Sequence, residues 1–190
     1  MTQVQEASAI AKASRELLNR GDAVGAERVL APVLKSLRTD ATALHLMGLI
    51  KKAQNKLEDA ERYMRSAVAH GLSEGGFYND LGVILQARGK YDEAIRIYRA
   101  AHVLMPEAEA VRVNLVRCLM AANQISDAER EARLYIDAKP GPEAWTLLGQ
   151  VQRQQERHEQ ALGSAAAALE YAPKMRGLRL NYAGALERAG

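Results

Sequence analysis

The chain has 190 residues, 48% of them hydrophobic and 26% charged, which is enough apolar content for a buried core in one globular domain or in an array of repeats. Its 26 basic and 23 acidic side chains leave a formal net charge of +3, too near balance for binding to nucleic acid or a membrane surface by charge alone. No stretch approaches the roughly 20 apolar residues that span a bilayer, and the polar start Met1-Thr2-Gln3-Val4-Gln5-Glu6 does not resemble a secretory signal.

Cys118 is the only cysteine and lies in an apolar-periodic stretch, so no internal disulfide can form and a reduced, buried thiol is expected. A cytoplasmic location fits these features. One Phe and one Trp stand among abundant Ala, Leu, Arg, Glu and Gln, the composition of chains that pack helices closely through small residues. The expected fold class is all-α.

In chain order, apolar periodicity and breakers place helices near 3–19, 23–37, 41–54, 57–70, 75–88, 91–104, 107–122, 125–138, 142–155, 158–171 and 175–189. Between the helices of each pair the chain must reverse, which favours a residue tolerant of positive φ. Gly21, Asn55, Gly89 and Asn123 suit that position, as does Gly190 at the end. Glu156 breaks the pattern, so its turn is expected to be formed differently or under strain. Pro106, Pro140 and Pro173 fall between pairs, where they separate one pair from the next.

These elements repeat. Ala26, Ala60, Ala94 and Ala128 are spaced by 34 residues, and Ala161 follows after 33. Gly48, Gly82 and Gly149 each precede the closing alanine of their unit by 12 residues, and Pro106, Pro140 and Pro173 follow it by 12. Gly on the first helix and Ala on the second would place small side chains opposite each other at the helix crossing. Ser14 and Val116 occupy the glycine position in units one and four.

Tyr78, Leu81-Gly82, Ala94, Tyr98, Ala101 and Pro106 in unit three, with Trp145, Leu148-Gly149, Ala161, Ala168 and Pro173 in unit five, resemble the pattern of the tetratricopeptide repeat. The resemblance spans nearly the whole chain. It implies a right-handed α-α superhelix of five helix pairs plus one terminal helix, with repeats at about 7–40, 41–74, 75–108, 109–141 and 142–175 and a half repeat at 176–190. The unpaired last helix keeps Leu178, Tyr182 and Leu186 on one face and stops at a turn glycine, from which a longer protein is expected.

The resemblance further implies that the first helix of each pair lines a concave groove. On that register the groove residues are Lys12, Arg15, His45, Lys52, Asn79, Asp80, Gln86, Asn114, Arg117, Gln150, Arg153 and Asn181, a polar set that leans basic. Such donors suit an extended peptide, hydrogen-bonding its backbone and pairing with its carboxylates. The chaperone-binding clamp of the family has Lys and Asn where unit one has Ala11 and Arg15, and is not recognisable. Its asparagine ladder is matched by Asn114 and Asn181, partly by Asp80, and not by Leu46 or Leu147.

No phosphate loop, paired-cysteine site or His-Glu-x-x-His helix is present. His45, His70, His102 and His158 fall at different repeat positions, so no metal and no cofactor is expected. Ser73 lies in a glycine-containing loop without the frame of a nucleophile elbow. The chain is therefore expected to be a non-catalytic module for a protein or peptide client of polar or acidic character. The family analogy makes it the substrate-recruiting arm of a larger protein-modifying enzyme such as a glycosyltransferase or sulfotransferase; the alternative is a stand-alone scaffold or adaptor. RNA binding is disfavoured by the scarcity of inner aromatics, and self-association through terminal helices is left open.

Overall fold

Eleven α-helices occur among the residues described by this computed structural model, 3–36, 39–71 and 73–190. They are α1 Gln3–Asn19, α2 Ala23–Ser36, α3 Ala41–Ala53, α4 Leu57–His70, α5 Gly75–Ala87, α6 Tyr91–Leu104, α7 Glu109–Ala121, α8 Ile125–Ala138, α9 Pro142–Gln154, α10 His158–Tyr171 and α11 Arg176–Ala189. The fold is all-α, and the helix bounds lie within two residues of those the periodicity predicts. The predicted end of the second helix at Leu37, the start Met1-Thr2 and Leu72 of the glycine-containing loop lie outside the described residues.

The chain divides into two compact units, Met1–Glu107 and Ala108–Gly190. In the first, α1 packs on α2, α3 on α4 and α5 on α6; α2 also packs on α3 and α4 on α5. Contacts of α1 with α3 and of α3 with α5 bring the first helices side by side on one face. The second unit repeats the scheme, with α7 on α8, α8 on α9, α9 on α10, α10 on α11, and α7 touching α9.

Every hairpin reverses through one left-handed residue. Gly21 has φ 86°, Asn55 59°, Gly89 73°, Asn123 59° and Glu156 60°. The backbone closes each turn in the same way: in the turn at Asn55, Lys56 N–H donates to Lys51 O at 2.9 Å and Asn55 N–H to Lys52 O at 2.9 Å. Arg157 donates to Gln152 O at 2.9 Å and Glu156 to Arg153 O at 3.0 Å, so the fifth turn is not formed differently. The strain half of the expectation follows directly, because a glutamate Cβ in the left-handed region costs roughly 1–2 kcal/mol. Glu156→Gly should raise stability by about 1 kcal/mol and Tm by roughly 2–4 °C, while Glu156→Ala should not. Equal melting temperatures for the three proteins would show that the turn carries no such strain.

The expectation of small against small holds at Gly149, where an added Cβ would lie 3.4 Å from Ser164 Cβ, but not at the other two glycine positions. A Cβ on Gly82 would lie 2.6 Å from the Tyr98 ring, and one on Gly48 would lie 3.0 Å from Met64 Cε. Tyr98 and Met64 stand four residues after the closing alanines and are fully buried, so each glycine receives a large side chain from the second helix. Where the first helix carries buried Val116 instead, the matching position on α8 is buried Ala132. In these three units volume is conserved across the crossing while its owner changes. Ser14 fits the site by donating its buried hydroxyl to Ala26 O at 2.8 Å.

Two further features were not read from the sequence. Pro32 lies inside α2 rather than between units, on an exposed position where its ring faces solvent. The residue after the closing alanine is a repeating clasp. Glu27 accepts from Lys51 Nζ at 2.5 Å and Gln54 Nε2 at 2.8 Å. Glu61 accepts from Arg65, from Lys90 Nζ at 2.9 Å and from Arg88, and Glu129 accepts from Arg133 at 2.8 Å, Gln155 at 3.0 Å and Arg157 at 3.1 Å. Each clasp ties a second helix to the turn of the following pair. Ile95 and Leu162 occupy the equivalent positions without a charge.

Candidate functional site

The first-helix residues singled out by the repeat register have unequal fates. In the first unit, His45 is buried: its Nε2 lies 2.7 Å from Asp80 Oδ2 and its ring stacks on Phe77 at 4.3 Å. This contact joins α3 to α5 and engages both side chains with each other, which periodicity along one helix could not reveal. Asn79 Nδ2 approaches Asp80 Oδ1 at 3.5 Å, and Gln86 Oε1 accepts from the Tyr98 hydroxyl at 3.1 Å. Lys12, Arg15 and Lys52 are exposed, and among the described residues no side-chain ion pair engages them. They are the available cations on the first helices of this unit.

In the second unit, Arg117 lies 3.4 Å from Glu143, a pair with both side chains about half exposed and therefore weak. Asn114 is half-buried on α7. Gln150, Arg153 and Asn181 are brought together: all three line one cavity of about 90 Å³ between α9, α10 and α11. Because α9 and α10 run antiparallel, the cavity has distinct ends. Trp145, near the start of α9, shares one end with Ala165 and Ala168 from late α10 and with Leu178 from early α11. Arg153, from the end of α9, shares the other with His158 and Arg188.

None of the residues lining this cavity is acidic. Two of its side chains carry buried nitrogens with no hydrogen-bond partner, Trp145 Nε1 and His158 Nδ1. Arg188 Nη1 donates to Gly184 O at 2.6 Å, a bond within its own helix that leaves the rest of the guanidinium available. Sequence reasoning found the polar half of the cavity, Arg188 included, but missed Trp145 and His158 as its partners. The register of the sixth unit places Arg188 in the groove beside Asn181; Trp145 and His158 were not legible, since neither occupies a first-helix groove position.

Charge perturbation is concentrated away from this site. Burial opposes ionisation of Glu61, but hydrogen bonds from Lys90, Arg65 and Arg88 override it and hold the carboxyl at about 2. Burial together with the hydrogen bond to Glu109 Oε2 at 2.9 Å pushes the Tyr135 hydroxyl up to about 12. Both groups are structural ties between neighbouring helices. Among the described residues, no group of three His, Cys, Asp or Glu side chains is placed to hold a metal ion, and no helix is long and apolar enough to cross a membrane.

Three family models, each described as tetratricopeptide repeat, match residues 45–109, 85–151 and 142–175. Protein O-mannosyl-transferase TMTC1 of Homo sapiens is 28% identical over 131 residues, covering 67% of this chain and 14% of that protein. Cellulose synthase operon protein C of Pseudomonas fluorescens (strain SBW25) is 29% identical over 187 residues, covering 89% of this chain and 15% of that protein. The chain thus spans about one-seventh of the length of these relatives. Among solved structures, MamA protein superposes with a TM-score of 0.78 at 20% identity, covering 88% of this chain and 92% of that one. YrrB, described as a TPR protein with an unusual peptide-binding site, superposes with a TM-score of 0.73 at 19% identity, covering 92% and 90%. These likenesses are ones of fold.

Proposed function

Because the chain belongs to the tetratricopeptide-repeat family, a scaffold fold for interaction with other proteins, we propose that it holds an extended polar or acidic segment of a client polypeptide on its first-helix faces. The observation that supports this reading most is that the exposed groove cations Lys12, Arg15 and Lys52 in one unit and Arg153 in the other have no side-chain ion pair among the described residues. Each has donors left over for backbone carbonyls and carboxylates. On the second helices, Arg65 and Arg133 are by contrast engaged by the Glu61 and Glu129 clasps.

The test is capture of a client from cell extract, its identification, and titration against charge-reversed protein. Arg15→Glu with Lys52→Glu should weaken binding at least tenfold, on the basis of roughly 1.5–3 kcal/mol per charged hydrogen bond. Undiminished affinity would remove the first-helix faces as the binding surface.

The finer reading is that this chain recruits the client to a linked protein-modifying transferase in the cytoplasm. Support comes from the human relative, whose name describes an O-mannosyl-transferase and of which this chain matches a small share. Sequencing past codon 190 separates the alternatives: a frame continuing into a transferase domain supports the arm, and a stop codon leaves a stand-alone adaptor. Fractionation of the native protein tests the location.

A further inference from the structure

The cavity between α9, α10 and α11 has an uneven chemistry that specifies more than a general peptide groove. Resting on the reading that this fold holds a polypeptide, we propose that this cavity is an anchor for an extended segment bearing an apolar side chain and, four residues later, a glutamate or aspartate. The apolar side chain enters between Trp145 and Leu178, and the carboxylate lies between Arg153 and Arg188.

The spacing comes from the helix. Trp145 and Arg153 are eight residues apart on α9, or about 12 Å at a rise of 1.5 Å per residue. An extended peptide advances about 3.3 Å per residue and returns a side chain to the same face every second residue. Four residues therefore cover about 13 Å with both side chains pointing into the cavity. Two residues fall short, and three turn the second side chain away.

The chemistry of the ends comes from the lining. Ala165 and Ala168 leave room beside the indole for an aliphatic group. At the other end two guanidinium groups and His158 face a space without a carboxylate of the protein's own. Gln150 and Asn181 lie between the ends, where an amide can bond a peptide backbone in either direction. Trp145 Nε1 and His158 Nδ1, on the side chains that line the two ends, have no hydrogen-bond partner.

Trp145 is the only tryptophan in the chain, so its fluorescence reports on this cavity alone. The probes are acetylated and amidated peptides of the form Gly-Leu-Gly-Ser-Gly-Glu-Gly, its Glu→Gln form, and a form with Leu and Glu two residues apart. The first should change Trp145 emission saturably, while the second and third should bind roughly tenfold more weakly, the loss expected for one charge-assisted pair. Arg153→Gln and Arg188→Gln, both at exposed positions and checked by circular dichroism, should remove the preference for Glu over Gln. Equal affinity for the Glu and Gln peptides, or a preference that survives both substitutions, overturns the carboxylate end, and equal affinity at either spacing overturns the geometry. A client that binds through Arg15 and Lys52 with no change at Trp145 overturns this anchor while leaving the wider peptide-holding reading standing. No emission change with any probe up to millimolar concentration overturns it as well.

Discussion

Gly82→Val is expected to destabilise the protein by about 2–3 kcal/mol and Tyr98→Ala by about 3–5 kcal/mol, yet the two together should cost clearly less than their sum. A Cβ on Gly82 would lie 2.6, 2.7 and 2.9 Å from Cε1, Cδ1 and Cζ of Tyr98. That ring is fully buried and held at its far end by the hydroxyl's bond to Gln86, so it has nowhere to move. Truncation to alanine leaves a cavity as large as the ring and an unpaired Gln86 acceptor. The double variant reproduces the pairing that α7 and α8 already use, Val116 on the first helix with Ala132 on the second. Urea unfolding of the four proteins gives the coupling energy, expected to be about 2 kcal/mol in favour of the double variant. Strict additivity would mean that the two positions do not share one volume.

The second large effect is electrostatic. Glu61 is 7% exposed on its side chain and is held by Arg65, Arg88 and Lys90, with its pKa lowered to about 2. An unfolded glutamate titrates near 4.3. The folded value lies below the unfolded one, so the contribution is fully present above about pH 4.5 and is lost as pH falls towards 2. It amounts to roughly 3 kcal/mol at neutral pH by linkage. Glu61→Gln should therefore lower stability by about 2–3 kcal/mol at pH 7, with a gap to the unaltered protein that narrows by more than half at pH 3. An equal gap at both values would refute the clasp as a charge effect. Glu27 and Glu129 are shifted in the same direction by their own donors, so acid should weaken those two clasps as well.

The two effects have the same origin in the repeat, and they show why it was only partly readable. The register of Ala26, Ala60, Ala94, Ala128 and Ala161 gave the number of helices, their bounds and the five turn residues, because each depends on local backbone chemistry at a fixed spacing. Even Glu156 obeyed the register against its own preference: tertiary packing of α9 on α10 imposes the left-handed turn that the other four hairpins adopt with Gly or Asn. The clasp glutamates carry the same period, one residue after the alanine, and were legible in principle. Arg65 and Arg133 lie four residues onward on the same helix, but the partners from the following pair lie 24 to 29 residues onward, beyond the reach of any helical pattern.

The candidate site divides along the same line. The sequence by itself determined which residues share the first-helix faces, since a helix of known register fixes the direction of every side chain. That sufficed for Lys12, Arg15, Lys52, Arg117 and Arg153 as surface cations. Only the tertiary structure decided which of the polar residues remain available. His45 and Asp80 meet across two helices and satisfy each other, whereas Gln150, Arg153 and Asn181 converge with Trp145, His158 and Arg188 around one cavity. The physical reason is that availability is set by neighbours from other helices, whose approach depends on the volumes exchanged at each crossing, and no periodicity within one helix encodes that distance.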